Sequence, residues 1–171
     1  LVRTKLQPPQ QSDKIFSGGD GKPIEDAKRI FFILLWQKVY FLAKRARPDI
    51  QQAIEILITR VKEPNKGSWQ KLIRLMKYLN GTVEKVLTLK IDNINIIKWY
   101  MNASFAVHDD FKSHIGAIIT LGIGVIQAIS RKQKLNTRPS TESELVGVDD
   151  IFTMILWTKL FLEQQGYDIQ Q

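Results

Sequence analysis

The apolar residues of this chain change their spacing near residue 82, and this change constrains the fold more than any other feature of the sequence. Before it, apolar side chains recur three and four residues apart, as on one face of an α-helix. After it, they alternate or cluster in short β-branched runs, as in β-strands. The chain of 171 residues is therefore expected to fold as an α+β protein, with a helical part first and a sheet after it.

Three helices are predicted in the first part of the chain. The first begins near Glu25 and stops before Pro48, because the residue that precedes a proline disfavours the helical conformation. Asp49 is expected to cap a second helix, and Ser68 is expected to cap a third over residues 69–79. These helices together are expected to form a small helical segment.

The second part of the chain has the pattern of strands followed by one long helix. The predicted strands are residues 86–90, 96–107, 114–121 and 125–130. The helix is predicted from about Thr141 to Gln165, and the apolar residues expected on its inward side are Leu145, Val148, Phe152, Ile155 and Leu156. One helix on such a sheet leaves a face and an edge open, which we expect missing sequence or a partner to cover.

Composition excludes several classes of protein. The absence of cysteine excludes a disulfide scaffold, a zinc–thiolate site and a cysteine nucleophile. The longest apolar stretch without charges, residues 115–129, has 15 residues, fewer than the ~18 that a membrane span needs. The start lacks both Met and an apolar segment, so we expect a chain that is not secreted and that is a processed product or an excerpt of a longer one.

The positive charge lies almost entirely in the first part of the chain. Residues 1–95 carry 18 basic and 9 acidic side chains, whereas residues 96–171 carry 7 and 8. Such an asymmetry favours a polyanion as the partner of the first part. A solvated basic surface without a partner is the alternative.

Three groups of basic residues are the candidate nucleic-acid contacts. They are Lys44, Arg45 and Arg47 at the end of the first helix, Lys71, Arg74 and Lys77 along the third, and Arg131, Lys132 and Lys134 in the loop before the last helix. Such groups bind phosphates without reading sequence. The alternative is that some of them pair with acidic neighbours or with helix carboxyl ends.

Five short motifs occur in one order along the chain. They are Arg45-Ala46-Arg47-Pro48-Asp49-Ile50, Leu79-Asn80-Gly81-Thr82, Asn102-Ala103-Ser104, Ser130-Arg131-Lys132-Gln133 and Ser140-Thr141-Glu142-Ser143-Glu144. With their order and spacing, residues 28–171 resemble the carboxyl-terminal part of a copia-type retrotransposon polyprotein. In that family the segment after the reverse-transcriptase palm continues into an RNase H domain.

The resemblance implies a domain organisation. Residues 1–24 would be a linker or extended arm, residues 25–93 a helical segment similar to a reverse-transcriptase thumb or connection, and residues 94–171 the truncated β-β-β-α half of an RNase H-like domain. It also implies an intracellular protein of a eukaryotic host, in the nucleus or the cytoplasm. The implied partner is an RNA–DNA hybrid or another nucleic acid.

The resemblance places two residues at metal-ligand positions. Asn102 stands where the family has its first catalytic Asp, and Glu144 matches the second acid. The parent reaction needs Mg²⁺ or Mn²⁺ held by clustered carboxylates, and an amide is a poorer ligand than a carboxylate. Any metal is therefore expected to bind weakly, at Glu144. A second interpretation of Glu144 is a capping box with Thr141.

The remaining acids and histidines are assigned less specific roles. The pairs Asp109-Asp110 and Asp149-Asp150 are expected to face solvent, and His108 and His114 are interpreted as turn residues without metal-ligand spacing. The family's later acids follow the last helix, beyond the end of this sequence, so we expect an incomplete site.

The resemblance and the basic residues lead to two functional hypotheses. The first is a fragment of a copia-type reverse transcriptase–RNase H that binds nucleic acid but lacks a working metal site. The second is a non-catalytic, host-retained structural or interaction subunit that docks in a larger protein assembly, with a partner covering the open sheet edge and the apolar surface of the last helix.

Overall fold

A computed structural model describes residues 21–138 and 140–170. The first twenty residues of the predicted arm lie outside this range. Helices and antiparallel sheets both occur, so the α+β prediction is confirmed. The chain divides into two compact units between Val86 and Leu87, whereas the sequence-based boundary lies between residues 93 and 94.

The first unit is built from three α-helices. They are α1 (Asp26–Arg45), α2 (Gln51–Ile58) and α3 (Lys66–Gly81), and a short 3-10 helix, Pro48–Ile50, precedes α2. Five large side chains form a core that is closed to solvent: Phe32, Ile50, Ile54, Leu72 and Leu75. The helical spacing of the apolar residues therefore predicted the presence of the three helices, although Ile30, Phe31 and Leu34 of α1 are exposed.

The helix starts differ from the predicted ones. Asp49 lies in the 3-10 helix and does not cap α2. The cap of α3 is Asn65, whose Oδ1 accepts a hydrogen bond from the backbone N–H of Ser68 at 2.8 Å. An Asn side chain at this position satisfies a backbone donor of the first turn, so α3 begins three residues earlier than predicted.

The second unit contains two small antiparallel sheets. Strands β2 (Lys98–Ser104), β3 (His114–Thr120) and β5 (Gln127–Lys132) form one sheet in the order β2-β3-β5. Strand β1 (Lys90–Ile91) pairs with β4 (Gly122–Ile123). Of the strand predicted over residues 86–90, only Lys90 lies in a strand, because the pairing is limited to two residues on each side.

Helix α4 (Ser140–Gln164) packs on one face of the three-stranded sheet. The register places Trp99, Ile119 and Gln127 opposite one another, and likewise Met101, Ala117 and Ile129. Ile115, Ala117 and Ile151 form the buried cluster between this face and α4. The alternate residues of each strand, which include Tyr100 and Asn102, therefore point to the other face.

The inward side of α4 was predicted wrongly. Leu145, Val148, Phe152 and Leu156 are exposed, Ile155 alone of the predicted set is partly buried against the cluster, and the buried residues of the helix are Ser143, Gly147, Ile151 and Thr158. A Cβ atom added at Gly147 would lie 3.1 Å from Sδ of Met101. Small residues thus let α4 approach the sheet closely, and the larger apolar residues point outward.

The segment after α4 returns to the sheet. Gly166 has a φ of 89°, and its backbone N–H bonds to the carbonyl of Glu163 at 2.9 Å, as in a helix end with a left-handed residue. Gln170 then forms a parallel bridge with Ile96 and donates a backbone hydrogen bond to Asn95 at 2.9 Å. These contacts agree with the start of another strand.

Candidate functional site

Asn102 lies in the middle of β2, on the sheet face that points away from α4. Its neighbours Met101 and Ala103 lie next to Gly147 of that helix, and alternation along the strand places Asn102 on the opposite side. Its side chain is exposed, and Gly116 is its partner across the sheet. The amide is thus available to a molecule that approaches the open face.

Glu144 lies in the first turns of α4 and is exposed. It does not form the predicted capping box with Thr141. Glu142 has the capping role instead, because its Oε2 accepts a hydrogen bond from the backbone N–H of Arg138 at 2.7 Å. No side-chain hydrogen bond or ion pair joins Glu144 to Asn102 within residues 21–138 and 140–170.

The donor set at these two positions does not fit a two-metal site. Asn102 offers an amide oxygen and Glu144 a single carboxylate, whereas two divalent ions need several carboxylates to hold and neutralise them. Within the described part of the chain, no group of three or more His, Asp or Glu side chains could hold a metal ion.

Asp110 and Asp150, which belong to the predicted solvent-facing pairs, form ion pairs. Oδ2 of Asp110 lies 2.6 Å from Nζ of Lys132, and this contact, above all, lowers the pKa of the Asp110 carboxyl. Oδ1 of Asp150 lies 3.4 Å from Arg131. Asp109 and Asp149 are exposed. Arg131 and Lys132 lie at the end of strand β5 and not in the predicted loop, and both have partners inside the second unit.

The two histidines are buried side by side, and His114 is not a turn residue. Nε2 of His108 lies 3.0 Å from Nδ1 of His114, whose Nε2 lies 2.6 Å from Oγ of Ser130. His114 opens strand β3 and is 3% exposed. Burial, with the neighbouring His108, lowers the pKa of His114 to about 4. The His114 imidazole is therefore neutral at pH 7, and the cluster ties the β2–β3 connection to β5.

Arg47 is buried in the first unit, where its guanidinium contacts internal partners. It is 6% exposed, and its guanidinium donates two hydrogen bonds to the Asp49 carboxylate, at 2.9 and 3.0 Å. It also donates to the backbone carbonyl of Thr82 at 3.0 Å and to its hydroxyl at 2.8 Å. A guanidinium with four internal acceptors has little capacity left for phosphate.

Asp49 is the centre of this network. Besides Arg47, it accepts a hydrogen bond from the Tyr78 hydroxyl at 2.7 Å and lies 3.3 Å from Nζ of Lys85. Burial alone would raise the pKa of the Asp49 carboxyl, but the hydrogen bonds from Arg47 and Tyr78 and the nearby positive charges lower it to about 2. Two of the five sequence motifs, Arg45–Ile50 and Leu79–Thr82, therefore meet in one structural network.

The other basic residues of the first unit differ in whether they contact neighbouring side chains or are exposed to solvent. Lys44 lies 3.2 Å from the Glu55 carboxylate and above the Tyr40 ring, and Arg45 lies above the ring of Phe41. Arg74 and Lys77 are exposed on α3, on the side opposite its buried leucines, and Lys71 beside them is partly buried. In the second unit, Lys134 is exposed in the loop before α4. Arg74 and Lys77 are the candidates best placed to meet a polyanion.

Comparison with known proteins finds relatives among transposon polyproteins. The chain is 32% identical over 124 residues to the retrovirus-related Pol polyprotein from transposon RE2 of Arabidopsis thaliana. It is 30% identical over 121 residues to that from transposon TNT 1-94 of Nicotiana tabacum. The chain is related to the retrovirus-related Pol polyproteins of transposons. The resemblance to a retrotransposon polyprotein, inferred from the five motifs, is thus confirmed.

The Pol-related region covers most of this chain but little of its relatives. The two alignments cover 72% and 70% of the chain, but only 8% and 9% of the polyproteins. A shorter relative is the Secreted RxLR effector protein 161 of Plasmopara viticola, which is 25% identical over 70% of the chain and 84% of its own length. Sequence of this kind therefore occurs both within long polyproteins and in a short protein.

Two comparisons give no match. No protein-family model matches the chain, and no solved structure matches it. Within the described residues, no helix is both long and apolar enough to cross a membrane.

Sequence reasoning missed the residues that organise the two units. Tyr78 was not singled out, although it stands four residues before Thr82 on α3 and its hydroxyl needs a partner when buried. The histidine cluster was missed because six residues separate His108 from His114, and only the reversal of the chain between β2 and β3 brings them together. Strand alternation could have indicated that Tyr100 and Asn102 share a face.

Proposed function

We propose that this chain is a nucleic-acid-binding fragment of a retrotransposon Pol polyprotein of the copia type, and that it acts inside a eukaryotic cell, in the nucleus or the cytoplasm. The first unit binds the backbone of a duplex, with an RNA–DNA hybrid as the expected substrate of the parent protein. The second unit is RNase H-like and lacks a working two-metal site.

The surface of α3 supports the binding part of the proposal. Leu72 and Leu75 are buried, whereas Arg74 and Lys77 project from the opposite side of the helix. Residues 21–86 carry 14 basic and 6 acidic side chains. A positive surface without base-reading geometry binds phosphates in a manner that depends on salt and not on sequence.

Fluorescence anisotropy with a labelled RNA–DNA hybrid tests the binding. The double variant Arg74→Gln/Lys77→Gln is expected to bind more weakly and to lose about two units of the slope of log K against log salt. Lys22→Gln/Lys62→Gln removes the same charge near the amino-terminal end of α3 and is the matched control. If both double variants weaken binding equally, the loss of net charge alone would explain the effect. That result would contradict a binding surface on α3.

The chemistry at position 102 supports the inactive part of the proposal. A neutral amide replaces the carboxylate that the parent reaction needs, and Glu144 alone cannot neutralise two divalent ions. Incubation of the chain with labelled hybrid and Mg²⁺ or Mn²⁺ is expected to leave the RNA strand intact. Metal-dependent cleavage that disappears in Glu144→Gln would overturn this part and leave the binding proposal untouched.

A second candidate function is docking in a larger protein assembly. The outward side of α4 carries Leu145, Val148, Phe152 and Leu156, and Phe152 is 51% exposed. Leu145, Val148 and Phe152 also line a shallow depression with Asp149. Apolar residues at this spacing form the surface that another helix would cover. The short effector relative shows that sequence similar to this chain also exists outside a long polyprotein.

Light scattering separates the two candidates. If docking is the function, the chain is expected to self-associate or aggregate without its partner, and Phe152→Glu is expected to make it monomeric. Ile151 next to it faces the sheet, so Phe152→Glu changes only the outer side. A monomeric wild-type chain that binds the hybrid would favour the nucleic-acid function.

A further inference from the structure

Helix α1 exposes large apolar side chains on the side opposite its buried face. The buried residues of the helix are Phe32, Val39 and Ala43, which belong to the core of the first unit. Three exposed residues lie about half a turn around the helix from them, and we call these residues the α1 stripe: Ile30, Leu34 and Phe41. Each is more than half exposed. Apolar side chains aligned on one side of a helix form a surface that another element covers, so the α1 stripe indicates an interaction surface.

The outward side of α4 carries apolar residues at the same intervals in the reverse order. The residues of the α1 stripe are separated by four and then seven positions, whereas Leu145, Phe152 and Leu156 of α4 are separated by seven and then four. If the two helices run antiparallel, three apolar pairs therefore lie level at once: Phe41 with Leu145, Leu34 with Phe152, and Ile30 with Leu156. A parallel arrangement aligns only two of these three positions.

The charges beside the two apolar surfaces are opposite and have the same spacing. Lys38 and Arg45 are exposed beside the α1 stripe and lie seven residues apart, and Glu142 and Asp149 are exposed beside the outward side of α4, also seven residues apart. The same antiparallel alignment, to within one residue, brings Lys38 level with Asp149 and Arg45 level with Glu142. Opposite charges along an apolar seam determine which helices pair and in which orientation.

The direction around each helix agrees with the antiparallel arrangement. Seen from the amino-terminal end, the two cations of α1 and the two acids of α4 lie on the same side of their apolar residues, at about 50°. Two such flanks face each other only when one helix is reversed relative to the other. Spacing, charge and handedness therefore favour the same pairing.

A second helix fits the α1 stripe better than a lipid surface does. Gln37 is exposed between Leu34 and Phe41, on the same side of α1. An amide among hydrocarbon chains has no hydrogen-bond partner and is costly there. A polar residue within the seam of two helices is tolerated and helps to fix their register.

We infer that two copies of this chain associate through antiparallel contact between α1 of one copy and α4 of the other. The inference rests on the second candidate function, docking through the outward side of α4, and names the occupant of that surface. A second copy supplies both the matching apolar spacing and the opposite charge. It is therefore the partner that the two helices specify.

Charge reversal in the full chain tests the pairing, with association measured by sedimentation equilibrium at low salt. Lys38→Glu and Asp149→Lys each place like charges opposite one another in a pair of identical copies, and each is expected to weaken association about tenfold. Both residues are exposed, so their replacement leaves the cores intact. Glu142 is left unchanged because it caps α4.

An equimolar mixture of the two charge variants is the decisive sample. In a mixed pair, α1 of Lys38→Glu meets α4 of Asp149→Lys, and the other two helices are of the wild type, so every contact again joins opposite charges. The mixture is expected to associate within about threefold of the wild type, although each variant alone does not.

An apolar variant with a matched control tests the α1 stripe. Leu34→Glu is expected to weaken association about tenfold or more, because it buries a charge against Phe152 of the other copy. Leu135→Glu makes the same change in the loop before α4, where Leu135 is 62% exposed, and is expected to associate like the wild type. The circular dichroism of each variant must match that of the wild type.

Four outcomes would overturn the inference. The first three are a monomeric wild-type chain, a mixture of the charge variants that stays monomeric, and equal effects of Leu34→Glu and Leu135→Glu. The fourth is binding of a monomeric chain to vesicles of anionic phospholipid that is lost in Leu34→Glu, which would assign the α1 stripe to a membrane.

One further result would separate this inference from the docking function on which it rests. Association that is lost in Phe152→Glu but kept in Lys38→Glu and Leu34→Glu would show that α4 docks without α1. The inference would then be wrong, and docking through α4 would stand.

Discussion

The hydroxyl of Tyr78 donates a 2.7 Å hydrogen bond to Oδ2 of Asp49, a residue 29 positions earlier in the chain. The same oxygen accepts a hydrogen bond from Arg47 at 3.0 Å. Through these contacts the segment before α2 is tied to the last turns of α3. The interior of the first unit thus contains a charged network as well as an apolar core.

Replacement of Asp49 by Asn is expected to destabilise the first unit strongly. The change leaves the buried guanidinium of Arg47 without its anion, and loss of one partner of a buried ion pair costs about 3 kcal/mol or more. Tyr78→Phe removes one hydrogen bond and should cost about 1 kcal/mol. Hydrogen exchange of peptides from α2 and α3 would measure both effects.

A matched control for Asp49 is Glu84→Gln. Glu84 is exposed, so its neutralisation should change the free energy of unfolding by less than about 0.5 kcal/mol. Exchange rates in α2 and α3 that rise equally in Asp49→Asn and Glu84→Gln would show that the network has no special role.

The Asp49 network should make the first unit sensitive to strong acid. The folded-state pKa of about 2 lies below the ordinary value of 3.8. The unfolded chain therefore binds the proton first, and stability present above pH 4 is lost as the pH falls toward 2. The loss should total about 2 kcal/mol. Acid titration of the α3 exchange rates should show it in the wild type and not in Asp49→Asn.

The histidine cluster should make the second unit sensitive to milder acid. His114 has a pKa of about 4 in the folded protein, against an ordinary value of 6.5. Stability should fall as the pH drops from about 6.5 to 4, by about 3 kcal/mol, because only the unfolded state takes up the proton in that range. Below pH 4 this contribution is constant.

Peptides from β3 and β5 report the histidine effect. Their hydrogen-exchange protection should decrease between pH 6.5 and 4 in the wild type, after correction for intrinsic exchange. In His114→Gln, which has no imidazole to protonate, the decrease should be absent. The same decrease in both proteins would assign it to other groups, such as the Asp110–Lys132 ion pair.

Enlargement of Gly147 should separate α4 from the sheet. The Cβ position lies 3.1 Å from Sδ of Met101 and 3.7 Å from Cβ of Ala103, so Gly147→Val forces the helix outward and should cost about 1 to 3 kcal/mol. Val148→Ala, on the outer side, should cost less than about 1 kcal/mol. Thermal unfolding followed by circular dichroism would measure both, and equal melting temperatures would contradict the close approach.

The sequence predicted the presence of the helices better than it predicted which side of each helix is buried. Spacing identified α1, α3 and α4 because each carries a long run of apolar residues at helical intervals. On α4, however, the largest apolar residues face outward, since Gly147 lies against β2 and Ser143 is buried. A pattern that equates large apolar residues with the core cannot find a face made of small residues.

The basic residues show a similar limit. Charge and spacing identified Arg47 and Arg74 alike, yet one is buried against Asp49 and the other is exposed. The difference depends on a partner 35 residues away, Thr82, which helix spacing does not reveal. Asn102 was matched by motif, and the sheet face on which it lies follows only from the strand register.

Helix α4 has no fully polar side along its length. The side of the helix with small residues packs against the sheet, and its outward side carries Leu145, Val148, Phe152 and Leu156. The association of this chain at high concentration should therefore depend on the exposed apolar side chains of α4, which also include Trp157, Leu160 and Phe161, as well as on its net charge of +8.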